Sequence, residues 1–182
     1  TVKAMAPVLG PEHIVINHTT TSPAETLEAS RIVCERNAQY LDAPFTGSRD
    51  AAEAGELVFL IGGASATLEK VRAQLEVNAR QILPIGEIGQ AAAMKIATNL
   101  MAAVMVGSLA EAMCLLERSG IPLHKLGEVL PHHAANSTLA EMKIPGMIVD
   151  DFDPRFSLKH MFKDVQIALA MAEEFGLELP EA

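Results

Sequence analysis

Residues 81–120, QILPIGEIGQAAAMKIATNLMAAVMVGSLAEAMCLLERSG, change from a β-type pattern to a helical one at Gly86. Before this glycine, 81–85 is a short apolar run typical of a strand. After it, 88–118 contains no proline and is rich in Ala, Met and Leu, which predicts one long helix that ends at Ser119-Gly120. The stretch therefore divides the chain into an α/β part and an all-α part.

The part before Gly86 alternates short β-branched runs with segments of helical period. We expect strands at 14–16, 57–61 and 81–85, and helices at 23–37 and 64–78. Ser22-Pro23 before Glu25, and Ser65 before Glu69, are capping patterns that mark the two helix starts. Strands that alternate with helices predict a mostly parallel sheet with crossover helices.

The part after Gly86 is predicted to be helical throughout, with further helices at 122–130, 139–143 and 158–175. The long helix is hydrophobic on nearly every face, which indicates that protein surrounds it. Either it forms the axis of a helical domain, or it packs against a second subunit, or both. Its apolar run 100–110 is shorter than the roughly 20 residues that span a bilayer. We therefore expect a buried helix and no membrane contact.

Composition excludes several classes of protein. The 182 residues are 49% hydrophobic and 20% charged, as in an ordinary folded domain. The net charge of -9 argues against binding nucleic acid, which needs Lys and Arg to neutralise phosphates. Cys34 and Cys114 lie far apart, and no Cys/His spacing resembles a metal site. With no signal-peptide pattern at the start, a reducing cytoplasm is the expected compartment.

Lys95 and Asn99 are the polar residues near the start of the long helix. They are four residues apart, so they project from one face about one turn from each other. They could form a solvated strip, or a half-buried lysine with a lowered pKa could exchange protons beside an amide that orients a substrate oxygen. Spacing alone leaves both interpretations open.

Four stretches form an ordered set of motifs that extends over most of the chain. They are NHTTTSP at 17–23, DAPFTGS at 42–48 followed by the Gly62-Gly63 pair, the segment from Gly86 through Lys95 to Asn99, and Phe156 with Lys163-Asp164. This set resembles the β-hydroxyacid dehydrogenase superfamily, with its D-x-S-T-x-x-P, D-A-P-V-S-G-G, K-x-x-x-N and F-x-x-x-x-x-x-K-D motifs. Its members include 3-hydroxyisobutyrate, tartronate semialdehyde and 6-phosphogluconate dehydrogenases.

The resemblance implies a fold in two parts. Residues 1–86 would be the C-terminal part of a Rossmann-type NAD(P)-binding domain. Residues 87–182 would be a helical substrate and dimerisation domain, incomplete at its C-terminus, with one long central helix. The G-x-G-x-x-G turn of the family does not occur in the chain. We therefore expect an N-terminally truncated member of the family that by itself binds cofactor weakly and is inactive.

The resemblance also assigns the substrate-binding and catalytic residues. Lys95 would be the acid/base residue, Asn99 would hold the reacting oxygen, and the Thr46-Gly47-Ser48 turn would bind the substrate carboxylate. Backbone N–H groups of such a turn can approach an anion closely, although a plain tight turn is the alternative interpretation. Thr46-Gly47-Ser48 stands where the family has S-G-G, which favours a changed or narrower substrate.

The cofactor-binding residues implied by the resemblance are Thr20, Phe156, Lys163 and Asp164. Thr20 would lie near the nicotinamide, at an edge of the sheet where ligands bind. Lys163 would reach the cofactor region, and Asp164 would fix its geometry. Without the resemblance, Thr20 could simply cap a helix, Lys163-Asp164 could be an exposed ion pair, and Phe156 could pack in the core.

Together these residues predict an oxidoreductase that transfers hydride between NAD or NADP and a short β-hydroxy carboxylate, without a metal. The expected partners are a small hydroxy acid and a second copy of the chain, in a homodimer or a larger homo-oligomer. The alternatives are a non-catalytic dehydrogenase-like scaffold and an imine reductase. Lys95 argues against both, because a scaffold has no use for a lysine in a cleft and imine reductases usually replace it.

Overall fold

A computed structural model describes residues 1–154 and 156–182. Five strands and eight α-helices follow one another along these residues, with two short 3₁₀ turns at Ala6–Val8 and Leu130–His132. In chain order the elements are α1 (Val2–Met5), β1 (Ile14–Asn17), α2 (Pro23–Cys34), β2 (Gln39–Asp42), β3 (Phe45–Thr46), α3 (Arg49–Glu53), β4 (Leu57–Gly62), α4 (Ser65–Glu76), β5 (Ala79–Gly86), α5 (Gln90–Arg118), α6 (His124–Val129), α7 (Thr138–Ile148) and α8 (Leu158–Glu174). The predicted fold class, an α/β part followed by an all-α part, is confirmed.

The sheet is mixed, and its two longest pairings are parallel, which agrees with the prediction of a mostly parallel sheet. β1 pairs with β2 and β4 pairs with β5 in parallel, but β3 and β2 both pair antiparallel to β4. The reason is the short connection 47–56 between β3 and β4. A parallel connection needs a crossover of about a dozen residues or more, so the chain can only turn back.

The predicted strands at 14–16, 57–61 and 81–85 are confirmed as β1, β4 and β5. β2 and β3 escaped prediction, because β2 ends in a charged residue and Pro44 separates it from the two-residue β3. Ser22 caps α2 in a capping box with Glu25, as expected. The corresponding prediction for Ser65 is wrong: Ala64 is the N-cap of α4, and no side chain caps that helix.

The helical part follows the sequence pattern closely. α5 begins at Gln90 and ends at Ser119-Gly120, where the glycine has φ of +73°. α6 covers only the middle of the predicted helix at 122–130: residues 122 and 123 precede it, and Leu130 begins a 3₁₀ turn. α8 matches its predicted bounds to within one residue, whereas α7 extends five residues beyond 143 and contains Pro145.

Helices cover both faces of the sheet. On one face Leu41 and Ile61 pack against Leu68 of α4. On the other face Tyr40 packs with Val33 of α2. Neighbouring residues of a strand point to opposite faces, so β2 contributes to both cores.

α5 is far more exposed than the sequence predicts. Its buried residues are Ala91, Ala92, Ile96, Leu109 and Met113. Met101 is 63% exposed and Leu115 is 69% exposed, so the described residues of this chain do not surround the helix by themselves. The expected packing against a second subunit stays a prediction. α7 and α8 pack against parts of α5 and leave its other faces open. By length and composition alone, α5 could cross a membrane.

The glycine that ends β4 provides a test of how tightly α5 packs on the sheet. A Cβ atom on Gly62 would lie 2.7 Å from the Glu87 carbonyl oxygen and 3.2 Å from the Asp42 carboxylate. We expect Gly62→Ala to lower the free energy of unfolding by about 1–3 kcal/mol, because overpacking forces the backbone apart.

Gly107 is the matched control, since a Cβ atom there meets nothing within 4 Å. Gly107→Ala, inside α5, should stabilise the chain by about 0.5–1 kcal/mol through helix propensity. Urea denaturation of the two variants measures both changes. Equal stability of Gly62→Ala and the parent chain would show that the β4–α5 contact is loose.

Candidate active site

The site is built around the first turns of α5, which a buried carboxylate holds against the sheet. Asp42 ends β2 and is fully buried. Its Oδ2 accepts hydrogen bonds from the backbone N–H groups of Gly89, at 3.1 Å, and Ala92, at 3.0 Å. Burial raises the pKa of Asp42, and these two hydrogen bonds lower it. The carboxylate satisfies N–H groups that a helix start leaves without intrahelical partners.

Lys95 lies in the second turn of α5 and is half-buried. Burial lowers the pKa of its ammonium group, because desolvation disfavours the charged form, and the negative charge of Asp164 partly offsets this effect. Such an amine is closer to exchanging protons at neutral pH than an exposed lysine. Lys95 and Asn99 are both half-buried, so they do not form a fully solvated strip. The acid/base role of Lys95 stays a prediction.

Asn99 is held by the C-terminal helix. Its Nδ2 donates to Asp164 Oδ2 at 2.6 Å, which joins α5 to α8. The Asp164 side chain is only 1% exposed. Because the amide nitrogen donates to Asp164, the Asn99 oxygen can accept a hydrogen bond from another group.

Lys163 links the same carboxylate to the sheet. Its Nζ donates to the Thr20 carbonyl oxygen at 2.5 Å and lies 2.8 Å from Asp164 Oδ1. Thr20 belongs to the loop between β1 and α2. Four of the predicted residues are therefore joined by hydrogen bonds or an ion pair: Thr20, Asn99, Lys163 and Asp164. Lys95 lies one helical turn before Asn99. The interpretation of Lys163-Asp164 as an exposed ion pair is wrong in one respect: the two side chains do form an ion pair, but Asp164 is buried.

The Thr46-Gly47-Ser48 turn lies between β3 and α3. Gly47 has φ of +142°, and a Cβ atom there would come within 2.7 Å of Leu57 Cδ2, so only glycine fits. Ser48 caps α3 by accepting from the Ala51 N–H at 3.1 Å. Its hydroxyl proton can still be donated to a ligand. In the described residues the turn is not hydrogen-bonded to Lys95 or Asn99.

Phe156 stands apart from the other predicted residues. It is 51% exposed, and its ring centroid lies 5.9 Å from that of His160. The core-packing interpretation of Phe156 is therefore wrong, whereas its proposed contact with the cofactor stays a prediction.

Sequence reasoning missed two residues of this region. Asp42 belongs to a quoted motif but received no role, although an acidic residue that ends an apolar strand is a recognisable signal. His18 lies beside the same segment: its Nδ1–H donates to the Ala43 carbonyl oxygen at 2.7 Å. Its ring also packs against Phe45 and Phe59. Only the fold brings these rings together.

Two family models match the chain. The model described as the NAD-binding domain of NADP-dependent 3-hydroxyisobutyrate dehydrogenase matches 89–182. The model for the NAD-binding domain of 6-phosphogluconate dehydrogenase matches 1–86.

Individual relatives agree with these matches. Glyoxylate/succinic semialdehyde reductase 2 of Arabidopsis thaliana is 32% identical over 92% of this chain and 47% of its own length. The 3-hydroxyisobutyrate dehydrogenase of Salmonella typhimurium superposes with a TM-score of 0.86 and 27% identity, covering 98% of this chain and 66% of that one. The Mycobacterium tuberculosis 3-hydroxyisobutyrate dehydrogenase structure with L-serine gives 0.85 and 28%, covering 92% and 60%. The chain spans about half the length of the curated relatives it matches.

The opposing influences on Lys95 predict the effect of Asp164→Asn. Asp164 favours the ammonium form of Lys95, so its neutralisation should lower the pKa of Lys95 further. The pH midpoint for acylation of Lys95 by a neutral reagent, read by peptide mass spectrometry, should move to lower pH. The exposed Lys159 is the reference amine in the same sample.

Glu173→Gln is the matched control, an acid-to-amide change at an exposed position of the same helix. It should leave the Lys95 midpoint unchanged. An unchanged or higher midpoint in Asp164→Asn would contradict the electrostatic account of Lys95.

Proposed function

This chain belongs to the β-hydroxyacid dehydrogenase family of 3-hydroxyisobutyrate dehydrogenase and its relatives, and from that premise we propose the activity of the whole protein. It is an oxidoreductase that transfers hydride between NAD or NADP and a short β-hydroxy carboxylate. The observation that carries the proposal is a half-buried amine, Lys95, with a lowered pKa, one turn from an amide that a buried carboxylate orients.

Lys95 performs the proton transfer. In its neutral form the amine takes the proton of the substrate hydroxyl, and as ammonium it returns that proton to the carbonyl oxygen in the reverse direction. Desolvation lowers the pKa of Lys95 and so favours its neutral form, while the negative charge of Asp164 favours the ammonium form. Both protonation states are needed in a reversible reaction.

Asn99 positions the reacting oxygen. Its contact with Asp164 fixes the orientation of its amide group. The free Asn99 oxygen then accepts from the substrate hydroxyl on the helix face that carries Lys95. Such fixed geometry lowers the entropic part of the barrier.

The Thr46-Gly47-Ser48 turn binds the substrate carboxylate. The conformation of Gly47 turns the backbone so that neighbouring N–H groups can approach an anion. The Ser48 hydroxyl adds a donor that a glycine at this position would lack. The turn therefore favours a small substrate whose carboxylate can accept a hydrogen bond from the Ser48 hydroxyl.

The residues that would hold the nicotinamide end of the cofactor are Thr20 and Lys163. They fit a polar carboxamide group because they offer a hydroxyl and a half-exposed ammonium beside the sheet edge. When bound, the nicotinamide supplies the acceptor or donor of the hydride. Phe156 belongs to the same proposal, as a side chain free to contact the cofactor.

We further propose a cytoplasmic homo-oligomer in which a second copy, rather than a membrane, covers α5. The helix starts against the sheet through Asp42, and its second turn carries Lys95 in the site. A lipid environment would not suit these contacts. The exposed apolar residues Met101 and Leu115 suit a subunit interface instead.

Lys95→Ala tests the proposed reaction. The protein expressed from the complete reading frame that encodes this chain should oxidise at least one member of a panel of short β-hydroxy acids with NAD or NADP. Lys95→Ala should lower kcat/KM about 10²–10⁴-fold, the usual worth of a general acid or base. Lys159→Ala, at an exposed lysine, should leave the rate unchanged. Dinucleotide binding without turnover of any substrate would support the scaffold alternative instead.

Leu115→Glu tests the oligomer. Sedimentation of the complete protein should give a dimer or larger species, and a charge in the middle of an apolar interface should shift it toward monomer. Leu177→Glu is the control, because Leu177 is also exposed but lies outside α5. A parent protein that sediments as a monomer would remove the proposed interface.

A further inference from the structure

The Asp42 carboxylate joins two segments that the proposed reaction needs together. It is the last residue of β2, six residues before the end of the Thr46-Gly47-Ser48 turn. Through Oδ2 it accepts from both Gly89 and Ala92 at the start of the helix that carries Lys95 and Asn99. Asp42 is therefore close in sequence to the Thr46-Gly47-Ser48 turn, and its side chain is hydrogen-bonded to the start of α5.

The surroundings of Asp42 leave this carboxylate little freedom. It is fully buried, and a Cβ atom on Gly62, its partner across the β2–β4 pairing, would lie 3.2 Å from Oδ2. Asp42 Oδ1 is buried without a hydrogen-bond partner among the described residues. A buried carboxylate with unmet hydrogen-bonding capacity is costly for stability alone, so its position calls for a further role.

The position of the helix start determines where the Lys95 amine lies. Lys95 follows Ala92 by three residues, about 4.5 Å along the axis and most of a turn around it. The intervening backbone is helical, so a shift or rotation at Ala92 is carried to the amine almost undiminished. A misplacement of about 1 Å can cost about 10²-fold in rate.

We propose that Asp42 is a positioning residue for the acid/base step: it fixes the start of α5 so that Lys95 and Asn99 face the substrate held by the Thr46-Gly47-Ser48 turn. This inference rests on the proposed function of Lys95. It assigns to Asp42 no contact with substrate or cofactor. Asp42 contributes by fixing the distance between the Lys95 amine and the Thr46-Gly47-Ser48 turn.

Asp42→Ala removes both hydrogen bonds and tests the proposal. In the complete protein, kcat should fall about a hundredfold while the dissociation constant for dinucleotide stays within about twofold. The amide protons of Gly89 and Ala92 should exchange with solvent faster, a readout that needs neither cofactor nor turnover. If Asp42→Ala fails to fold, Asp42→Ser, which leaves a smaller cavity, is measured in its place.

Asp42→Asn is the conservative variant. Its carboxamide oxygen can still accept from Gly89 and Ala92, so both amides should stay protected and kcat should recover by at least about tenfold over Asp42→Ala. A structural role alone would lower stability without this recovery in kcat. Equal losses of kcat in the Asn and Ala variants would overturn the proposal.

Ser137→Ala is the matched control for losing a helix cap. The Ser137 hydroxyl accepts from the Ala140 N–H at the start of α7, which carries none of the site residues. The variant should lose about 1 kcal/mol of stability and keep its kcat. A folded Asp42→Ala variant with fast-exchanging amides and a normal kcat would refute the inference.

Lys95→Ala in the same assay separates the two proposals. If that variant keeps full activity, the proposed function fails, whatever Asp42 does. If Lys95→Ala is inactive and the Asp42 variants retain full kcat despite the lost amide protection, the inference about Asp42 fails and the proposed function stands.

Discussion

The hydrogen bonds from Gly89 and Ala92 to the Asp42 carboxylate connect the two halves of this chain. Each side of the contact supplies what the other lacks. A helix start has N–H groups without acceptors, and a buried carboxylate needs donors to offset its desolvation. These hydrogen bonds thus fix the end of β2 to the start of the long helix.

A second buried carboxylate, Asp164, organises the chemical groups. It accepts from Asn99, lies beside the Lys163 ammonium and raises the pKa of Lys95 against the effect of burial. Lys163 in turn donates to the Thr20 carbonyl. Asp164 and its neighbour Lys163 therefore link three distant segments, and Asp164 itself is buried. The low dielectric around Asp164 makes these interactions stronger than they would be on the surface.

The exposed faces of α5 show how a functional helix differs from a core helix. Its start is buried and hydrogen-bonded to Asp42, and its middle packs only where α7 and α8 reach it. Apolar side chains such as Met101 and Leu115 are left in the open. Hydrophobicity on all faces indicates that a helix needs partners, but it does not say whether they come from the same chain.

The sequence alone determined the elements whose causes are local. The long helix at Gln90–Arg118, its end at Gly120 and the cap at Ser22 follow from propensity and capping. The motif with Lys95 and Asn99 was identified by its resemblance to a family. Only the tertiary structure decided the antiparallel turn at β3, the burial of Asp164 and the contact of Asp42 with α5. Those features join residues that are far apart in the sequence. A hydrogen bond between such residues produces no periodic pattern from which it could be predicted. Their energies depend on desolvation, which is set by what the rest of the chain packs around them.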